Sequence, residues 1–165
     1  MLIHAKAIKD LRLADLMAVY EQSNLEVAQD RKQLPALFAL QLAEQDFRQY
    51  LQDVFFRTSG AHCFVWEEKG RYVSALRLEP YRDGLLLEGL ETAPDCRKKG
   101  YAATLVRAVQ TWLRQQGSAK LYSHVDKRNT ASLRTHEKCG FRVISDRAVY
   151  INGSVDYRCV TMLYE

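Results

Sequence analysis

Apolar residues switch repeatedly between helical and strand spacing along this chain, and the switches limit how it can fold. Between Asp10 and Gly60 they recur every three to four residues. Leu13, Leu16, Met17 and Tyr20 form one helical stripe, with Asp10 placed as an N-cap and an end expected near Ser23-Asn24. A second helix is expected from Pro35, favoured in a first helical turn, toward Phe56, stopped by Ser59-Gly60. From His62 the spacing becomes two, giving strands at 62–67, 72–78 and 85–92 with turns at Glu68-Lys69-Gly70 and Arg82-Asp83-Gly84. After Pro94 the helical spacing returns through Ala102, Leu105, Val106, Val109, Trp112 and Leu113, closed by Gly117. A strand at 120–125, a helix at 129–139 capped by Asn129 and stopped by Gly140, and a strand at 141–151 follow. Asn152-Gly153, a strong hairpin signal, makes 154–164 the antiparallel partner of that last strand. With a short alternating strand at 2–7, the order is β α α β β β α β α β β.

The 165 residues, 47% of them apolar, suit one domain spanning 1–165. No apolar run approaches the ~20 residues that cross a bilayer, and the first ten residues do not read as a signal peptide, so a cytoplasmic chain is expected. Cys63, Cys96, Cys139 and Cys159 form no C-x-x-C pair and read as reduced packing residues, with no metal site expected. Only the charge is uneven. Residues 1–96 carry 11 basic against 15 acidic side chains, while 97–165 carry 13 against 5, which points to an anionic partner for the second part.

The boundary of that split falls inside Thr92-Ala93-Pro94-Asp95-Cys96-Arg97-Lys98-Lys99-Gly100-Tyr101-Ala102, between a strand and a long amphipathic helix. A short basic loop there directs unpaired backbone N–H groups and the positive end of the helix dipole at one spot, suited to phosphate. Gly100 lets the backbone approach an anion, Ala102 leaves room, and Arg97, Lys98 and Lys99 add charge at the rim. The plain alternative is a solvated turn.

A second cluster, from Asn129 through Ser132 to His136-Glu137-Lys138-Cys139-Gly140-Phe141, follows the next strand. Together the clusters resemble the GNAT family of N-acetyltransferases. Arg97-x-x-Gly100-x-Ala102 matches that family's Arg/Gln-x-x-Gly-x-Gly/Ala signature, Thr92-Ala93-Pro94 its strand end, and the Asn129 helix its Tyr-Glu-Lys-x-Gly-Phe ending. The resemblance implies an α/β (α+β) acyltransferase fold: a mixed, mostly antiparallel sheet of about seven strands flanked by four helices, with the fourth and fifth strands splayed. It implies acetyl-CoA as co-substrate, its pyrophosphate held by backbone amides from Arg97 through Lys98, Lys99, Gly100 and Tyr101 to Ala102. The pantetheine arm would pair with Leu90 to Thr92 and meet Asn129 and Ser132, and the acetyl carbonyl would lie near the Leu90 amide. The implied reaction is direct attack of an amine on the thioester. The implied acceptor pocket is built from residues 20–60 and the final hairpin, and homodimers occur in the family.

That reaction needs a base for the amine and gains from a proton donor for the leaving thiolate. His136 stands where the family often has a donor Tyr, and the chain departs from the pattern there; imidazole chemistry and a packing role both stay open. For the base the candidates are Glu91, then His124, then Glu88, with plain alternation placing Glu88 on the opposite face from Glu91. Glu26, Asp30, Glu44 and Asp46 suit a cationic acceptor, which leaves small amines, aminoglycoside-like compounds, amino acids and peptide N-termini open. A non-catalytic acyl-CoA sensor and a basic nucleic-acid-binding module are the other readings.

Overall fold

A computed structural model describes residues 1–31, 33–117 and 120–165. The elements are β1 (Leu2–Ala5), α1 (Leu13–Val19), α2 (Glu21–Gln29), α3 (Ala36–Asp53), β2 (His62–Glu68), β3 (Arg71–Tyr81), β4 (Gly84–Thr92), α4 (Tyr101–Gln115), β5 (Leu121–Asp126), α5 (Thr130–Lys138), β6 (Arg142–Ser145), β7 (Ala148–Val149), β8 (Val155–Asp156) and β9 (Cys159–Tyr164). Seven strands form one sheet in the order β1-β2-β3-β4-β5-β9-β6, and β7 and β8 pair separately. Only β4 and β5 run parallel, and they pair through Leu85, Leu86 and Leu87 alone. Beyond Leu87 the two strands part, as expected for a splayed pair, and the β5-facing edge of Glu88–Thr92 has no strand beside it.

The alternation of β2 and β3 sorts the core onto two faces. Phe64, Leu76, Leu78, Leu87, Leu121 and Met162 pack under the α4 stripe of Leu105, Val106, Val109 and Leu113, each buried side chain contributing about 1.5–3 kcal/mol. Cys63, Val65 and Ala75 on the other face meet Leu16, Val19, Leu51 and Phe55 from the helices that precede β2. All four cysteines are unpaired, and three are buried. No helix among the described residues is long and apolar enough to cross a membrane.

The first helical region differs from expectation. Asp10 does not cap α1: its carboxylate accepts from the amides of Lys6 and Ala7, closing a tight turn ahead of the helix. The helix then continues past Asn24 to Gln29, but breaks at Tyr20 (φ −90°, ψ 15°), so among the described residues five helices stand where four were expected. The break costs the run little, because the Tyr20 amide still reaches the Leu16 carbonyl at 3.1 Å and its own carbonyl accepts from Asn24 at 2.9 Å. The long strand expected at 141–151 is interrupted after Ser145. β6 pairs with β9, while β7 crosses the Asn152-Gly153 turn to β8.

Candidate active site

β4 leaves its ladder at one point. Ala75 faces Glu91 and Arg77 faces Glu88, so Leu76 alone stands opposite the pair Gly89-Leu90. This bulge adds a residue and breaks the alternation, placing Glu88 and Glu91 on the same face rather than on opposite faces. Gly89 has a φ of +54°, and a Cβ there would lie 2.9 Å from the Arg77 guanidinium, so the position admits only glycine without rearrangement. The Gly89 carbonyl accepts from the Tyr20 hydroxyl at 2.7 Å. The helix break is thereby fastened to the bulge.

A cavity of about 380 Å³ opens on that face, and seven of its ten lining residues fall within the expected 20–60 segment: Tyr20, Ser23, Asn24, Val27, Ala43, Asp46 and Phe47. Arg77, Gly89 and Glu91 complete it, and the final hairpin lines none of it. Glu91 accepts a hydrogen bond from the Ser23 hydroxyl and stands 3.9 Å from the Arg97 guanidinium. Burial pushes its carboxyl above the ordinary range, with the Ser23 hydrogen bond and the charge of Arg97 pulling back. Glu88 is raised as well, first by burial, against the pull of Arg77 and with a further push from Glu79. Of the four acids expected to suit a cation, only Asp46 reaches the cavity, and it is paired with Arg31 at 2.5 Å.

The basic loop follows β4 directly. A tight turn at Pro94–Cys96 sits on a small cluster of Val73, Ala93 and Cys96, against which Tyr101 also packs. Arg97 Nε donates to the Thr92 carbonyl at 3.3 Å, Lys99 Nζ to the Asp95 carbonyl at 3.0 Å, and Asp95 takes a two-pronged ion pair from Arg71. Lys98 and Gly100 have positive φ, +61° and +83°, and nothing lies within 4 Å of where a Gly100 Cβ would stand. Thr104 is the first α4 amide bonded to a carbonyl, that of Gly100 at 3.0 Å, leaving the amides of Tyr101, Ala102 and Ala103 at the open helix end. An uncovered backbone concavity in a loop that carries Arg97, Lys98 and Lys99 fits a pyrophosphate, and the open edge of β4 fits an extended amide-bearing arm.

The remaining candidates lie apart from these. Asn129 caps α5 by accepting from the Ser132 amide at 3.0 Å, and the Ser132 carbonyl accepts from His136 Nδ1 at 2.8 Å. His136 is therefore protonated on Nδ1, and its buried Nε2 has no partner among the described residues. Burial lowers its pKa. His124 is fixed in the same way. The Thr161 hydroxyl donates to the Arg147 carbonyl at 2.8 Å and so accepts from His124 Nδ1 at 3.1 Å; Nε2 has no partner in hydrogen-bond geometry among the described residues, and burial lowers the ring's pKa while the nearby Val149 backbone pulls it back up. The rings of Tyr81 and Tyr150 flank His124 at 5.5 and 5.3 Å. Among the described residues no hydrogen bond or ion pair joins Glu91, His124 and His136. Tyr20, Ser23, Arg77 and Gly89 were not singled out from the sequence; a glycine inside a strand is the one signal that could have marked the bulge.

Comparison with known proteins agrees with this fold. The PaiA N-acetyltransferase of Thermoplasma acidophilum, solved with coenzyme A, superposes with a TM-score of 0.68 over 99% of this chain and 98% of its own, at 15% identity. The ribosomal-protein-S18-alanine N-acetyltransferase of Escherichia coli gives 0.60 over 99% and 92%, at 19% identity. An aminoglycoside N(6')-acetyltransferase type 1 of Serratia marcescens is 46% identical over 55 residues, 33% of this chain and 38% of that protein, so the match spans well under half of the relative. The profile described as the acetyltransferase (GNAT) family matches residues 23–141, from the Ser23 wall of the cavity through the basic loop to the end of the α5 region. By that match and by its fold, the chain belongs to the GNAT acetyltransferase family.

Proposed function

We propose that the protein transfers an acetyl group from acetyl-CoA to a primary amine bound in the cavity beside Glu91. The observation that carries this reading is the Gly89-Leu90 bulge, which turns a half-buried carboxylate into the cavity while the adjoining edge of β4 stays open toward β5. When bound, acetyl-CoA supplies a thioester carbonyl open to attack by an amine. The amides of Arg97 to Ala102 would hold its pyrophosphate, with Lys98 and Lys99 at the rim; Leu90 to Thr92 and, across the gap, Asn129 and Ser132 would hold the pantetheine arm.

Glu91 takes one proton from the incoming ammonium, which leaves a lone pair on nitrogen; its burial makes the carboxylate a stronger base than an exposed glutamate. The Leu90 amide, which has no register partner on β3, is assigned to the carbonyl oxygen. The N–C bond forms, the C–S pair leaves with sulfur, and the second amine proton ends on sulfur. His124 is the alternative base, presenting an unprotonated Nε2. His136 enters as an acceptor at Nε2; service as an acid would require it first to gain a proton there against its burial.

The test is release of free CoA thiol from acetyl-CoA with a panel of amines. Glu91→Gln should lower kcat by about 100-fold or more and leave acetyl-CoA affinity, measured by calorimetry, unchanged. Full turnover in that variant would remove Glu91 from the chemistry.

A further inference from the structure

The cavity holds a buried cation that makes no ion pair among the described residues. Arg77 extends from the middle of β3 into a sleeve of four rings, with its guanidinium carbon 5.3 Å from the centre of Phe47, 5.5 Å from Tyr20, 5.8 Å from Tyr50 and 5.9 Å from Phe55. Among the described residues its inner atom, Nε, has no hydrogen-bond partner and the group makes no ion pair; the hydroxyls of Tyr20 and Tyr50 and the charge of Glu88 act on it only in part. Its outer nitrogens lie against Gly89, and the side chain lines the cavity. A guanidinium does not deprotonate, and one sunk among aromatic rings without an anion is under-satisfied; ring faces recover only part of the lost hydration. Glu88, opposite on β4, supplies the nearest cross-strand charge but no direct contact.

Glu91 lines the same cavity two β3 residues away, since it pairs with Ala75 where Glu88 pairs with Arg77. Two strand residues are about 7 Å of backbone, within reach of both side chains. One end of the cavity thus suits an ammonium and the other a planar anion. The walls between, from Val27, Ala43 and Phe47, are apolar. Two acids line the cavity, and Asp46 is already paired with Arg31, which leaves Glu91 to meet one ammonium.

We infer that the acceptor is a zwitterion, a primary amine carrying a carboxylate a few bonds away, as in an apolar amino acid. Arg77 is its specificity-determining residue: the carboxylate completes the guanidinium with a forked pair, and the amine is left beside Glu91. This rests on the acetyltransferase reading above, and it excludes polycationic amines as preferred acceptors.

The experiment compares L-leucine and L-phenylalanine with their carboxamides, with 3-methylbutylamine and with spermidine, by thiol release and by calorimetric binding to the CoA-loaded protein. The carboxamide's amine loses its proton more readily, so chemistry alone favours the amide, and any preference for the acid reports recognition. Wild type should favour the acids over the amides in kcat/KM by about 100-fold, the discrimination expected when a buried charged group loses its partner. Arg77→Met should bring the acid down to the level of its amide, and Arg77→Lys should restore part of the preference. Equal rates for acid and amide in wild type, or a preference for spermidine, would overturn the inference and leave the transferase standing. Binding of the acids but not the amides, with no turnover of any amine, would keep the anion site and overturn the transferase reading. If Arg77→Met does not fold, the wild-type comparison alone decides.

Discussion

Ser23 sets how acidic Glu91 can be. Burial raises the Glu91 carboxyl, and the Ser23 hydroxyl is the first of the contacts that hold it down. Ser23→Ala should therefore raise it further. A base works only while unprotonated, so the acid limb of the kcat/KM profile should move to higher pH; an unmoved limb would place the base elsewhere. At this scale the sequence showed the acids but not their arrangement. Glu91 could be read as a charged side chain near a strand end, whereas its companionship with Glu88 depends on a bulge that plain alternation does not foresee. Arg77 was invisible for a related reason. Flanked by Leu76 and Leu78 it reads as the solvent-facing member of an alternating strand, and only the arrival of Tyr20, Phe47, Tyr50 and Phe55 from distant helices turns that face inward.

Among elements, the legible ones were those whose hydrophobic period and end signals agree. The α4 stripe closes at Gly117, α5 is capped by Asn129, and the three-strand meander lies where its turns placed it. The misread ones are those where a side chain found a partner outside its own element. Asp10 turned back to Lys6 and Ala7, and Tyr20 left the helix to bond the Gly89 carbonyl. The loop before α4 offers a clean test because its backbone carries the proposed role. Gly100→Glu puts a side chain at a φ of +83°, a cost of about 1–2 kcal/mol, into space where nothing stands within 4 Å. The variant should fold with a slightly lower unfolding midpoint and lose at least tenfold in acetyl-CoA affinity, since a carboxylate would occupy the phosphate's place. Unchanged affinity would displace the cofactor from this loop.

Over the whole molecule the charge split falls at the boundary between the cavity strands and the basic loop. The basic part begins at the loop, and the acidic part holds Glu79, Glu88 and Glu91 on the cavity face. All four histidines are held below their ordinary value of 6.5, His4 to about 4, in each case chiefly by burial. Below pH 6.5 the unfolded chain takes up protons that the folded chain refuses, so stability present above that pH is lost as pH falls through it. The unfolding midpoint should drop between pH 7 and 6, and His136→Phe, at the most deeply buried of the four, should flatten the slope; a flat wild-type profile would contradict it. The raised Glu88 and Glu91 act oppositely, favouring the folded state where they are protonated and it alone retains the proton, nearer the carboxylate range. The short pairing of β4 with β5 has a consequence of its own. The sheet is two panels joined along three residue steps, and the strand that borders the opening also carries the cavity floor. A ligand that bridges the panels as proposed would brace that floor, so it and a ligand in the cavity should each lengthen the other's residence.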